Sequence, residues 1–300
     1  MLPEGRQSMK EKNTHPPLLF LGNAPHNLAK GPTWEDVISD LCRSYAPNIE
    51  FSTSDPFPLI FERLLLANPE NSKREYDIKV EIAQKVEQLG ATDTLREILA
   101  QPWSEILTTN YDFLIERTLE PGFEPKNAAG KKESKYSLYR HHKATKKRVW
   151  HLHGDAKAPN SILLGYDHYM GAVQIVREHI VTKYAGKKVP YKPMTAGYGW
   201  AEHFFAENHP TIVILGFGFN VFEYDLWWLL VYRARRIARN MVDRAGRVEY
   251  YYPSFLEKKL KRSLQMLSAT GIVMRPVQAP KHNSEYYNKA LQRIKREHFA

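Results

Sequence analysis

The sequence predicts an α/β fold, a Rossmann-like doubly wound parallel sheet with a helical insertion after its first strand. Three observations predict it. Short apolar runs alternate with amphipathic helical patterns along most of the 300 residues. The strongest run, Thr211-Ile212-Val213-Ile214-Leu215, is apolar throughout, as expected of a strand covered by helices on both faces. Four runs end in turns of small and polar residues: GNAPHN (22–27), TTNYD (108–112), HLHGD (151–155) and LGFGFN (215–220). Ligands of doubly wound sheets bind beyond the carboxyl ends of the strands, where these four turns fall.

In chain order, residues 1–16 read as a loose polar arm before a single domain over 17–300. Leu18-Leu19-Phe20-Leu21 is a strand ending at Gly22. Thr33 is placed to cap a helix whose face carries Trp34, Val37, Ile38 and Leu41. Helical patterns continue over 57–67, 76–89 and 92–99, so 33–100 reads as the insertion. A strand at 105–108 leads into a helix through Leu114 and Leu119. Residues 121–147, rich in Gly, Lys and His, read as a basic loop. Strands follow at 149–152 and 161–164, then helices at 166–184 and 196–207. After the 211–215 strand come a helix at 222–239, a strand at 248–252, a helix at 253–267, a strand at 272–275 and a helix at 284–298.

Charge first points to nucleic acid, because 43 Lys and Arg against 33 Asp and Glu leave +10. Residues 126–148 hold nine Lys or Arg against one acid, so this segment carries +8 and the other 277 residues only +2. Tyr136, Tyr139 and His142 interleave these cations, as stacking and phosphate contacts require, which makes a nucleic-acid-binding module one reading. A solvated loop is the plainer one.

Cys42 is the only cysteine, which excludes an intramolecular disulfide and a four-Cys zinc site. The first residues lack the apolar core of a signal peptide. The apolar stretch 211–232 contains Asn220, Glu223 and Asp225, which are costly in lipid, so it reads as a strand, a turn and a helix. A cytoplasmic protein with no membrane contact is expected.

Each turn has a plain reading beside a functional one. Gly and Asn in GNAPHN suit a strand-to-helix turn, and no GxGxxG is present. Gly216 and Gly218 could simply let a strand and a helix pack closely. Asn110 and Asp112 could be an N-cap pair for the following helix. His151 and His153 alternate and should face the same side of a strand, but no further ligands stand at metal-site spacing, so no metal is expected. His141 and His142 read as titrating in solvent. His153, at a strand end, suits an acid/base role because its ordinary pKa lies near operating pH.

TTNYDFLIE, HLHGD, TIVILGFGFNVFEYDLWWLL and GPTWEDVISDL together resemble the sirtuin-like NAD-hydrolase (NADase) domain of bacterial anti-phage defence systems, over residues 18–230. The resemblance implies a domain that takes NAD as its substrate and cleaves the nicotinamide–ribose bond. It implies catalytic roles for Asn110 at the ribose, for His153, and for Asp112. Gly22, Asn23 and Asn27 of the first turn, Thr109, and Gly216, Gly218 and Asn220 of the later loop are implied as NAD-binding residues. It further implies a homo-oligomer and control by a defence-system partner or a phage-derived trigger.

Two departures qualify these expectations. One cysteine cannot build the zinc ribbon of sirtuin deacylases, so deacylation is not expected. The first turn carries Ala24 where the family usually has a second glycine, and Pro25 has no N–H to offer phosphate. His26 or Asn27 would then supply contacts. The same departure motivates a third reading, an inactive NAD-binding structural subunit.

Overall fold

The computed structural model describes residues 15–28, 33–52, 55–88, 90–126, 135–192, 197–241, 245–279 and 283–299, without the Asn27 side chain. Most of the expected arm, and Lys131 and Lys132 of the basic segment, lie outside the described residues.

The strands are β1 (Leu18–Leu21), β2 (Ile106–Thr108), β3 (His141–Ala144), β4 (Lys147–His151), β5 (Val189–Pro190), β6 (Ala206–Glu207), β7 (Ile212–Leu215), β8 (Val248–Pro253) and β9 (Val273–Val277). Seven form one sheet in the order β3-β4-β2-β1-β7-β8-β9, and β5 pairs separately with β6. Only β3 runs antiparallel in the main sheet. Counted along its parallel strands, the order is 3-2-1-4-5-6, the Rossmann arrangement, with its topological switch point between β1 and β7. Register aligns the strand ends: Leu21 pairs with Thr108 and Leu215, and Thr108 pairs with His151. All four polar turns therefore leave the sheet at one level.

Alternation along the strands builds two cores. Leu18, Phe20, Ile212, Ile214 and Tyr250 face α7 (Tyr166–Tyr184), α8 (Tyr224–Ala238) and α9 (Glu257–Ala269). Leu19, Leu21, Val213, Leu215 and Tyr251 face α5 (Asp93–Leu99), α6 (Leu114–Leu119) and α10 (Ser284–Ile294). Each fully buried aliphatic side chain contributes about 1.5–3 kcal/mol.

Between β1 and α5 lie α1 (Trp34–Tyr45), α2 (Phe57–Leu66), α3 (Pro69–Lys73) and α4 (Glu75–Val86). Thr33 and Asp36 form the expected capping box of α1. Val37, Ile38, Phe61, Leu64, Ile78 and Ile82 give these helices a third core, closed by Ile162 and Leu164.

Four sequence expectations need correction. Residues 161–164 are no strand; a 3-10 turn (Pro159–Ser161) instead delivers Ile162 and Leu164 into the insertion core. Residues 197–207 form a 3-10 turn (Trp200–Phe204) and β6 rather than a helix. The supposed loop 121–147 contains edge strand β3, hairpinned onto β4 through Thr145, which adopts a left-handed φ of 54°. That hairpin turn lies at the amino end of β4, away from the level where the polar turns gather.

Lastly, His142 is buried rather than solvated, with Nε2 3.1 Å from Asp155 Oδ2. Arg140 is also buried, its Nε 3.4 Å from the same oxygen. Tyr139 packs edge-on against His179, and Tyr136 packs with Leu163 and Tyr169. Of the rings that nucleic-acid stacking would use, His142 is buried and Tyr136 and Tyr139 are half-buried. No described helix is long and apolar enough to cross a membrane.

Candidate active site

A cavity of about 580 Å³ opens beyond the carboxyl ends of β1 and β7, within the usual size range of ligand pockets. Of the residues expected to act, Asn110, Asp112 and His153 line it, as do Asn23, Thr109, Gly216, Gly218 and Asn220. The insertion contributes an apolar wall that includes Trp34, Phe57 and Ile60, and α9 contributes Leu260 and Ser263. Gly22 is not among the lining residues.

Local hydrogen bonds fix the TTNYD turn. Thr108 Oγ1 donates to the Leu21 carbonyl (2.9 Å) and accepts from the Asn110 N–H (3.1 Å), tying the ends of β1 and β2 together. Asn110 Nδ2 lies 3.1 Å from His26 Nδ1, and that nitrogen lies 3.6 Å from Asp112 Oδ2. His26 is therefore buried against the motif. Asp112 Oδ1 accepts from the Leu114 N–H (2.9 Å), so Asp112 opens α6 while Asn110 does not. Burial would raise the Asp112 pKa; His26 and the Leu114 N–H outweigh it and hold the carboxyl below its ordinary 3.8.

The Asn110 backbone is held from behind. Its carbonyl accepts from His151 Nδ1 (2.8 Å), and His151 Nε2 donates to Glu116 Oε1 (2.7 Å). Burial opposes charge on His151, but the Glu116 carboxylate overrides it and lifts the pKa to about 9. The imidazolium thus uses both N–H groups to join β4, α6 and the Asn110 turn.

His151 and His153 do not share a side. His151 meets Glu116 on α6, whereas His153 meets Asp225 on α8 and Tyr169 on α7, in the opposite layer. The strand ends at His151, so its two-residue period no longer governs residue 153. Gly154, at φ 96°, makes the reversal, and a Cβ there would collide with the Ser161 carbonyl.

His153 Nε2 lies 3.0 Å from Asp225 Oδ2, and Tyr169 packs edge-on against the ring at 5.5 Å between centroids. Sequence reasoning missed Asp225, which registered only as a polar group unsuited to lipid. The available signal was an acid in the first turn of the helix after LGFGFN. Glu223 was missed in the same way. It lines the cavity, is buried, and has Oε2 without a hydrogen-bond partner. Burial, reinforced by Asp225, raises its pKa well above 4.5.

The glycine turns play unequal parts. A Cβ on Gly22 would collide with the Gly216 carbonyl, so Gly22 serves the close approach of two turns. The Gly22 N–H donates to the Leu215 carbonyl (3.0 Å) and the Ala24 N–H to the Gly216 carbonyl (3.1 Å). Pro25 packs onto Gly216, whose φ is 67°. The first turn thus spends these N–H groups on protein carbonyls, beside which Pro25 is accommodated. Gly218 is open: within 4 Å a Cβ there would meet only the Asn220 amide, at 3.9 Å.

Among the described residues, Glu249, Glu297 and His298 have metal-compatible spacing. Glu249 is already met by Arg275 (2.8 Å) and Arg247 (2.7 Å). Burial would raise its pKa, but His298 and these arginines hold it at about 2. This is an ion-pair network, and no metal is assigned to it.

A family model for the SIR2-like domain matches residues 104–228, from the start of β2 into α8. The match supports a sirtuin-like family and is compatible with NAD-related activity, since SIR2-like domains use NAD as substrate. It spans TTNYD, HLHGD, LGFGFN and Asp225, but not the first turn or the helical insertion. No curated protein matches the chain.

Proposed function

We propose that the chain is an NAD glycohydrolase that splits NAD and water into nicotinamide and ADP-ribose. The observation that carries this reading is the convergence of Asn110 and His153 on one cavity at the switch point of a Rossmann-ordered sheet. In the reaction, the bond from ribose C1′ to the nicotinamide nitrogen breaks, and the bonding electrons leave with a neutral nicotinamide. A water oxygen bonds to C1′, and its proton passes to His153 and on to solvent. Because the leaving group starts as a cation, no strong acid is needed on its side. Asn110, donor and acceptor at once, orients ribose hydroxyls or the water.

The resemblance of TTNYD and HLHGD to defence NADase domains supports a role as an NAD-depleting anti-phage effector, working as a homo-oligomer and released by a partner or phage-derived trigger. Incubating the protein with NAD and measuring nicotinamide tests the activity. Activated wild type should release it, while His153→Ala should lose about 10²–10⁴ in rate, and Asn110→Ala should also be impaired. Equal release from all three would overturn the reading. NAD binding without turnover would mark the structural subunit instead.

A further inference from the structure

We propose that Asp225 is the positioning residue of His153 and that Nδ1 of His153 is the nitrogen that takes the proton. The proposal rests on the NAD glycohydrolase reading for its chemistry, but its geometric part stands apart from turnover. An ionised carboxylate only accepts hydrogen bonds. The 3.0 Å contact between His153 Nε2 and Asp225 Oδ2 therefore places the ring proton on Nε2 and the lone pair on Nδ1. Nδ1 has no hydrogen-bond partner among the described residues, and the ring itself lines the cavity.

The ring is held on several sides. Asp225 is fully buried in the first turn of α8, so its carboxylate is carried by a rigid element. Tyr169 of α7 blocks rotation of the ring with its edge-on contact. Gly154 sets the backbone approach from β4. Asp225 itself is not among the cavity-lining residues, so it acts on substrate only through His153. Orienting a histidine and stabilising the imidazolium that forms is the task of the carboxylate in hydrolytic triads. The same arrangement here selects a nucleophile with a removable proton, water or a hydroxyl. In the proposed reaction, the O–H bond of water breaks as its oxygen joins C1′, Nδ1 takes the proton, and the positive ring is neutralised by Asp225 until the proton leaves to solvent.

The test has two parts. In protein carrying ¹⁵N-histidine, the His153 resonances are identified by their loss in His153→Ala. Neutral His153 should carry its proton on Nε2 in wild type, and Asp225→Asn should disturb that preference. A wild-type proton on Nδ1 overturns the proposal whether or not the protein turns over NAD. In the kinetic part, Asp225→Asn should lower kcat by about 10²–10⁴ with NAD affinity unchanged, and should cost nothing further in a His153→Ala background. A full rate in Asp225→Asn, or an equal loss with and without His153, overturns it. No nicotinamide from wild type alone means a missing activator, and the tautomer still decides the role of Asp225.

Discussion

Replacing Glu116 by Gln should make stability respond to pH in a way that exposes the support beneath Asn110. Glu116 and His151 form an ion pair at 2.7 Å with both side chains 0% exposed. Holding His151 at about 9 rather than 6.5 is worth roughly 3 kcal/mol to the folded state while the ring is charged. The folded value lies above the unfolded one, so this contribution is complete below pH 6.5 and is lost as pH rises through 9. Removing one member of a buried pair costs about 3–5 kcal/mol in total. The stability gap between wild type and Glu116→Gln should thus be widest near pH 6. The coupling part should shrink below about 1 kcal/mol by pH 9.5. Guanidinium unfolding followed by circular dichroism at pH 6, 7.5 and 9.5 measures it. A gap that stays constant, or widens with pH, would refute a charged His151 between Asn110 and Glu116.

Glu223→Gln should act in the opposite sense. Because the folded pKa is raised, the wild type loses stability as pH rises above 4.5. The variant should be the more stable at pH 7.5 and show no such gain at pH 4 by the same denaturation assay. Gly22→Ala should lower the melting temperature sharply through collision with the Gly216 carbonyl, whereas Gly218→Ala should melt normally and bind NAD more weakly in calorimetry. Replacing the exposed Lys126, Lys143 and Lys146 by Gln should leave the salt slope of any DNA binding unchanged. Arg140→Gln should destabilise the fold by about 3–5 kcal/mol, as expected for breaking a buried pair.

The sheet could be read from the sequence because strands buried on both faces are plain apolar runs, and because Gly and Asn mark where they end. Asn110 and His153 were legible for the same reason: each sits at a fixed offset from such a run. Strand β3 escaped because His141-His142-Lys143-Ala144 has no apolar pattern, its inward His142 being satisfied by Asp155. The pairs His26–Asn110 and His153–Asp225 join segments 84 and 72 residues apart, and no local spacing announces such contacts. Charge was misleading for a related reason. Within 126–148, Arg140 is internal and Lys147 donates to the carbonyls of Leu99 and Gln101. A second basic region is offset by acids elsewhere, since residues 233–300 hold sixteen Lys or Arg against five acids. Arg233 and Arg236 of that region are buried and hydrogen-bond to backbone carbonyls.

The third hydrophobic core has a thermodynamic consequence. Helices α1, α2 and α4 share a core with Ile162 and Leu164, while the polar turns belong to the sheet and its own two cores. The cavity is the seam between units that need not open together, and local opening of a small unit costs less than global unfolding. A ligand touching Trp34 and Phe57 on one side and Asn110 and Gly218 on the other binds only the closed seam. Its binding energy is therefore delivered first to the weaker unit. Slowed amide exchange should appear in α1 and α2 before any change in β1 or β7, making the insertion the part of the molecule that registers occupancy.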